Sequence, residues 1–405
     1  MLYNRRQSNH LLVHLFLGGM RMDITVIGST QPGYRLPIAE AKLFSGHSAG
    51  ICYMKDDFDK ILAESREKTL ARFNGTAGSG HHSVSGHTSY NLLISGLPKI
   101  IAMILNNEKD YNTSEKSARY TKMKTSGIEK ELYEKWIEKF EKLIHERYSQ
   151  LDDTTVRKLA QENARYFISV FTPSTTMEYT VDFRQGNYLI GFLESPRLAE
   201  RMPDDFYQKL RPWLDETAKD LRSVLNCEEI RDNKGRELSL FATRKRIEYY
   251  GDVYSTNYSG SFAQLAQAQR HRSLNYEMTI ASPQTDRTFF VPMLIRANDE
   301  VRLEYLDDME LVANNYPQGM MVMINERGCL EDFLMKCNER LCGAAQWEIC
   351  MQTEKTLDRY YNRVDEYAQR LSLKEYHKKT KCQFGYYSCN RPCPLGQSQA
   401  FTREV

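Results

Sequence analysis

Residues 261–278, SFAQLAQAQRHRSLNYEM, are the most informative stretch of the chain. The segment SFAQLAQAQ favours a helix, and Arg270, His271 and Arg272 follow it directly. Two arginines on either side of a histidine offer planar, fixed donors that suit a diphosphate or a carboxylate. Three basic residues at a helix end equally suit a solvated face that interacts with the helix dipole. The rest of the chain must decide between these two interpretations.

Further motifs occur along the chain in a consistent order. The first half contains GHHSVSGHTSYNLLISG at 80–96, SEKSARY at 114–120 and ENARYF at 162–167. The second half adds INERG at 324–328 and RLCGAAQWEI at 340–349. Together with the Arg-His-Arg run, these motifs resemble the flavin-dependent thymidylate synthases (ThyX), as two imperfect copies between about Met22 and Tyr361.

The resemblance implies a fold and a set of site residues. The expected fold class is α/β (α+β), with two tandem ThyX-like domains, each a small mixed sheet flanked by helices. The flavin-binding residues that it implies are His81, Ser83, Arg270, His271, Arg272 and Asn325. The nucleotide-binding residues that it implies are Glu115, Ser117, Arg119, Tyr120 and Arg165. Arg340 matches the arginine placed against the uracil ring, where a desolvated guanidinium stabilises enolate-like charge, so it is the candidate catalytic residue.

Simpler structural roles exist for several of these residues. Arg119 and Arg165 also suit ion pairs with nearby carboxylates. His81 lies in a glycine-rich stretch at 74–87 that suits an exposed loop, and Asn325 suits a turn before Gly328.

The chain also departs from the family pattern. Asn107, Glu108 and Lys109 stand where an Arg-His-Arg run would precede SEKSARY, and Gly86 replaces a glutamate. No Ser-x-Arg-Tyr follows Met278. Since neither copy holds the full set, we expect one composite site, with nucleotide recognition from the first copy and flavin and base recognition from the second.

Proline and charge patterns suggest the domain limits. Pro196, Pro203 and Pro212 interrupt a charged region, which places a boundary there. The predicted segments are an extension or upstream start at 1–21, a nucleotide-binding repeat at 22–200, a flavin-binding repeat at 201–370 and a cysteine-containing tail at 371–405. Apolar residues at helical spacing, Ile128, Leu132, Trp136, Phe140 and Ile144, predict a packed helix near 127–148.

Composition limits the function classes. The 405 residues include 55 Lys plus Arg and 53 Asp plus Glu, a net charge of +2 that disfavours a nucleic-acid partner. Nine cysteines, an odd number, favour reduced thiols and a cytoplasmic location. The apolar run at 11–17 is too short to cross a membrane. His377, Cys382, Cys389 and Cys393 suffice in number for zinc but lack a standard spacing, so no metal is predicted.

The activity that the resemblance implies is reductive methylation of dUMP to dTMP. FAD is the expected cofactor, NADPH and methylenetetrahydrofolate are the expected co-substrates, and a dimer forming a pseudo-tetramer is the expected assembly. One alternative is a related flavin-dependent enzyme that modifies a pyrimidine nucleotide differently, for example a hydroxymethylase. Another is a non-catalytic homologue that binds nucleotide and flavin.

Overall fold

Two small sheets flanked by helices make up the protein. The structure is a computed structural model, and it describes residues 22–30, 37–53, 57–118, 121–232, 235–242, 246–280, 287–390 and 393–405. Each half of the chain contributes one four-stranded sheet. The predicted α/β class is therefore confirmed. None of the described helices is long and apolar enough to span a membrane.

The first sheet has the strand order β1-β2-β4-β3. Its strands are β1 (Asp23–Ser29), β2 (Ser89–Leu97), β3 (Tyr111–Glu115) and β4 (Thr175–Asp182). The helices of this half are α1 (Ile38–Tyr53), α2 (Phe58–Leu62), α3 (Arg66–Gly78), α4 (Lys99–Leu105), α5 (Gly127–Arg147), α6 (Asp153–Ala164), α7 (Phe183–Leu193) and α8 (Asp204–Leu225). Met177, Tyr179 and Val181 of β4 are buried at alternate positions, as a half-buried strand requires.

The second sheet has the strand order β5-β6-β8-β7, which repeats that of the first. Its strands are β5 (Tyr249–Tyr250), β6 (Val253–Ser261), β7 (Asn275–Thr279) and β8 (Met321–Cys329). Its helices are α9 (Phe262–Ala268), α10 (Met293–Arg296), α11 (Asp299–Val312), α12 (Leu330–Arg340), α13 (Trp347–Arg363) and α14 (Tyr367–Lys374). In both halves a short helix follows the second strand and a longer helix follows the fourth.

The pairing within the sheets differs from the expectation of mixed sheets. Every pairing between the described strands is antiparallel. The fourth strand of each half is inserted between the second and the third, which would otherwise be neighbours. Strand β4 lies between β2 and β3 and runs opposite to both, and β8 lies in the same way between β6 and β7.

Helix α5 joins the two halves. Its buried face contains Leu132, Trp136, Phe140 and Ile144, as predicted, whereas Ile128 in the first turn is exposed. The Trp136 indole donates to Asp308 Oδ2 of α11 at 2.7 Å. This hydrogen bond satisfies the one polar atom of a fully buried ring and ties the first half to the second.

The glycine-rich stretch at 74–87 is more regular than an exposed loop. Helix α3 continues to Gly78, and His82–His87 form a 3₁₀ helix. Burial of Phe73 and Ala77 offsets the helix cost of the glycines, about 1 kcal/mol each.

Helix α8 lies in the region of the predicted domain boundary. It contacts α7 and β1, and its Leu214 and Leu221 belong to the core that includes the first sheet. The division of the chain at 200 and 201 stays a prediction.

The tail packs against the rest of the chain. The Arg403 guanidinium donates to the carbonyls of Gly343 at 2.8 Å and Ala345 at 2.5 Å. His377 stacks on Tyr361 with ring centroids 4.0 Å apart. These contacts place the tail beside the loop that leads into α13.

Candidate functional site

One pocket is lined by side chains from both halves. From the predicted set it collects Glu115, Ser117, Arg165, Arg270 and Arg340. The chain after β3 supplies Glu115 and Ser117, and Arg165 directly follows α6. Arg270 lies just beyond α9, and Arg340 is the last residue of α12. The side chains that line it together are Lys99, Glu115, Lys116, Ser117, Ala118, Met123, Arg165, Thr175, Ala266, Gln267, Arg270, Gln318 and Arg340.

The charge of this composite pocket is strongly positive. Five cationic side chains face a single carboxylate among the described residues that line it. That carboxylate, Glu115, accepts a hydrogen bond from Lys99 Nζ at 2.6 Å, so it is already paired. Clustered cations in a recessed site attract anions and hold them by charge-assisted hydrogen bonds. The composite pocket is therefore suited to a phosphate or another anion.

Arg165 is the most unusual cation of the pocket. Its side chain is buried, with 6% of its surface exposed. Its Nε and Nη2 have no hydrogen-bond partner among the described residues. Leaving a buried donor unpaired costs about 1–3 kcal/mol, and more for a charged group. A buried arginine with donors unpaired among the described residues, beside a cationic pocket, is suited to bind an anion.

Arg340 is held in place by two residues of the second half. Its Nε donates to His271 Nε2 at 2.7 Å, and its Nη2 donates to the carbonyl of Gln267 at 3.1 Å. Burial, and then the nearby Arg340 charge, lower the pKa of His271 to about 2. His271 is therefore neutral and acts as an acceptor for Arg340, rather than as a cation that holds a phosphate.

Acid should destabilise the protein through His271. The unfolded histidine titrates near 6.5 and the folded one near 2, so between these values only the unfolded chain binds the proton. The stability that neutral His271 contributes is complete above pH 6.5 and is lost as pH falls towards 2. We expect His271→Gln, which keeps an acceptor, to flatten the pH dependence of the free energy of unfolding by up to ~1.4 kcal/mol per pH unit. Urea titrations of both proteins at several pH values measure this difference. If the free energy of unfolding depended on pH equally in both proteins, the assignment of His271 as a buried, neutral residue would be contradicted.

Arg272 points away from the composite pocket. Its Nη1 donates to the carbonyl of Tyr111 at 2.8 Å and also to Asn112 Oδ1. The turn after α9, closed by a hydrogen bond from Leu274 N to His271 O at 3.0 Å, separates it from Arg270. In this structure, Arg270 and Arg272 therefore lie on different surfaces, and only Arg270 lines the pocket.

Besides His271 and Arg272, three further predicted flavin-binding residues are not among those that line the composite pocket. His81 and Ser83 are exposed and line a second pocket together with Arg184 and Arg236. Asn325 is buried in β8, where its amide donates to Ser255 Oγ at 3.0 Å. The predicted residues Arg119 and Tyr120 lie outside the described residues.

Three second-half residues of the composite pocket, Ala266, Gln267 and Arg340, have apolar equivalents in the first half. Helices α4 and α9 have equal lengths, and their alignment places Met103 and Ile104 opposite Ala266 and Gln267. The alignment of α7 with α12 places Leu193 opposite Arg340. Met103, Ile104 and Leu193 are buried in the core. Gln267 and Arg340 of the second half thus have buried apolar residues at the equivalent positions of the first half.

Eight of the thirteen lining residues were not among the predicted site residues, and three of the polar ones show why. Lys116 lies within SEKSARY, so its motif signals it, whereas Lys99 and Gln318 belong to no motif. The backbone of Gln318 donates to Ile168 O at 2.8 Å and accepts from Ala263 N at 3.0 Å. Only the pairing of these segments in space brings Gln318 to the pocket.

A family model matches the part of the chain that contains the first-half motifs. Residues 40–192 match the family model Thy1, thymidylate synthase complementing protein. The solved structure of thymidylate synthase X (ThyX) from Helicobacter pylori with FAD and dUMP is similar at 18% identity, over 51% of this chain and 94% of that one, with a TM-score of 0.31. A UMP/dUMP methylase, PolB, from Streptomyces cacaoi bound with 5-Br dUMP is similar at 16% identity, over 51% and 92%, with a TM-score of 0.32. A comparison with curated proteins gives no match.

Proposed function

We propose, from the match of residues 40–192 to the thymidylate synthase complementing family, that this protein is an FAD-dependent thymidylate synthase. The reaction is the reductive methylation of dUMP to dTMP, with methylenetetrahydrofolate as carbon donor and NADPH as reductant. The single observation that carries the proposal is the composite pocket. It joins Ser117 and Arg165 of the matched segment to Arg270 and Arg340 of the second half.

The nucleotide phosphate is assigned to the first-half side of the pocket. Arg165 has buried Nε and Nη2 donors with no hydrogen-bond partner among the described residues, and Ser117 lines the same pocket. A guanidinium and a hydroxyl together suit a phosphate monoester. Glu115 is paired with Lys99, which reduces its repulsion of a bound anion.

The pyrimidine base is assigned to the second-half side. Neutral His271 and the Gln267 carbonyl orient the Arg340 guanidinium. A fixed cation beside the carbonyl oxygens of the base would stabilise the enolate-like form in which carbon 5 is nucleophilic. Because the guanidinium is oriented before the nucleotide binds, little reorganisation is needed during the reaction.

The flavin is assigned to Arg270 and to the second pocket. Arg270 is exposed at the composite pocket, and the second pocket holds His81, Ser83, Arg184 and Arg236. Arginines beside polar side chains suit the diphosphate of FAD, which would compete with Asp110 for Arg184 and with Asp232 for Arg236. FAD supplies hydride transfer when it is bound. Because these two places are separate in one chain, we propose that a homo-oligomer brings them together, in which Arg270 of one subunit approaches His81 of another.

A second candidate is a nucleotide-binding homologue with altered or absent chemistry. Arg272 donates to Tyr111 rather than into the composite pocket, and Asn325 is engaged within its sheet. Both observations weaken the assignment of a flavin site and leave the assignment of a nucleotide site intact. A flavin enzyme with another product, such as a hydroxymethylase, uses the same nucleotide contacts.

Growth without thymidine tests the proposal. We expect the gene to support a bacterium that lacks every thymidylate synthase, and the Arg340→Ala variant to fail. The purified protein should convert dUMP to a product heavier by one methyl group when FAD, NADPH and methylenetetrahydrofolate are supplied. A hydroxymethyl product would favour the alternative enzyme. Binding of dUMP without any mass change would favour the non-catalytic homologue.

A further inference from the structure

We propose that Asn107 and Lys109 are positioning residues that hold the loop at 269–274, called here the RHR loop. The inference rests on the function proposed above, in which this loop carries Arg270 and His271. The sequence comparison showed only that Asn107, Glu108 and Lys109 replace a phosphate-binding run. Their contacts indicate a different use for the same position.

The two segments are structurally equivalent and lie against each other. Residues 106–110 connect α4 to β3, and residues 269–274 connect α9 to β7. The alignment of the two helices places Asn107 opposite Arg270 and Lys109 opposite Arg272. Gln269 Nε2 donates to the Met103 carbonyl at 3.0 Å, so the ends of α4 and α9 are in contact.

Lys109 and Arg272 make reciprocal contacts. Lys109 Nζ donates to the Arg272 carbonyl at 2.9 Å and to the Leu274 carbonyl at 3.3 Å. Arg272 Nη1 donates to the Tyr111 carbonyl at 2.8 Å. Each cation thus caps backbone carbonyls of the opposite half. Lys109 is bound to the RHR loop at its C-terminal end.

Asn107 fixes the loop from both sides. Its Oδ1 accepts from Gln269 Nε2 at 3.0 Å, at the start of the loop. Its Nδ2 donates to the Tyr276 carbonyl at 2.9 Å, just beyond the end of the loop, and to Ser239 Oγ at 2.8 Å. The amide is 9% exposed, so solvent does not readily replace these contacts.

These contacts connect a first-half segment to the nucleotide pocket. The RHR loop contains His271, which accepts the hydrogen bond from Arg340 Nε. If the loop loosens, the orientation of Arg340 and Arg270 loosens with it. Lys109 and Asn107 do not line the composite pocket, so their effect on a ligand acts through the loop.

The test compares Lys109→Met with Lys139→Met. Lys139 also joins the two halves, through Glu304, but away from the RHR loop. We expect Lys109→Met to accelerate hydrogen exchange of the amides at 269–276 and to weaken dUMP binding, each by about tenfold, the effect of losing charge-assisted hydrogen bonds. Lys139→Met should change neither quantity. Lys109→Arg, which keeps a cationic donor, should restore both.

If Lys109→Met does not fold, Asn107→Asp provides a second test of the positioning role. Aspartate loses the amide donor to Tyr276, so exchange near 276 should accelerate. Equal exchange rates at 269–276 in Lys109→Met, Asn107→Asp and Lys139→Met would overturn the positioning role. If wild-type protein does not bind dUMP, the proposed function fails, while the exchange rates still decide the role of the two residues.

Discussion

Arg165→Leu is expected to weaken dUMP binding by about 100-fold, because it removes two or more charge-assisted hydrogen bonds to the nucleotide. The same change should leave the thermal stability unchanged or raise it. Arg165 is buried, and its Nε and Nη2 are unpaired among the described residues. Leucine removes that cost without opening a polar vacancy. A loss of binding with no loss of stability is the signature of a group that serves a ligand.

The matched control is Arg157→Leu in α6, the helix that Arg165 directly follows. Arg157 lies on the solvent side of α6 and pairs with Glu141 at 3.0 Å, with 69% of its side chain exposed. Its replacement should change dUMP affinity little, because surface ion pairs contribute about 0–1 kcal/mol. Calorimetry and thermal melting of both variants decide the matter. A clear loss of stability in Arg165→Leu with unchanged dUMP affinity would show that Arg165 is structural.

Lys336→Met is expected to lower the free energy of unfolding by about 3–5 kcal/mol, the cost of leaving a buried charge without its partner. Lys336 Nζ lies 2.5 Å from Glu326 Oε2, and both side chains are fully buried. Tyr254 and Tyr258 each donate to Glu326 at 2.7 Å. These hydroxyls satisfy the carboxylate but do not neutralise it.

The double variant Glu326→Gln with Lys336→Met separates charge from packing. Glutamine keeps the acceptor for a tyrosine hydroxyl and carries no charge. We therefore expect the double variant to be more stable than Lys336→Met alone, as measured by urea unfolding. Additive losses from the two changes would mean that the ion pair has no coupling and that volume alone matters.

Four residues of the composite pocket were named from sequence motifs by resemblance, Ser117 and Arg165 in the first half and Arg270 and Arg340 in the second. The structure brings them together in one pocket, and their roles stay a prediction. Gln318 was not predictable, since its place depends on backbone pairing between segments far apart in the chain.

Side-chain direction was the main limit for the remaining residues. Arg270 and Arg272 are separated by one residue, but the turn after α9 sends them to different surfaces. The helical pattern was more reliable. The predicted apolar stripe from Leu132 to Ile144 is the buried face of α5. Periodicity predicts which face of an element is buried, not which partner a polar side chain contacts.

Lys109 and Arg272 occupy equivalent positions of the two halves, but separate codons of one gene encode them. In an assembly of identical subunits, equivalent positions are encoded by one codon. A substitution there changes the residue that supports a loop and the residue that contacts a ligand at the same time. Here residues 106–110 can be randomised while 269–274 stay fixed. Such a library would vary how rigidly the RHR loop is held while the residues of the loop itself stay unchanged. Two equivalent positions of identical subunits cannot be separated in this way.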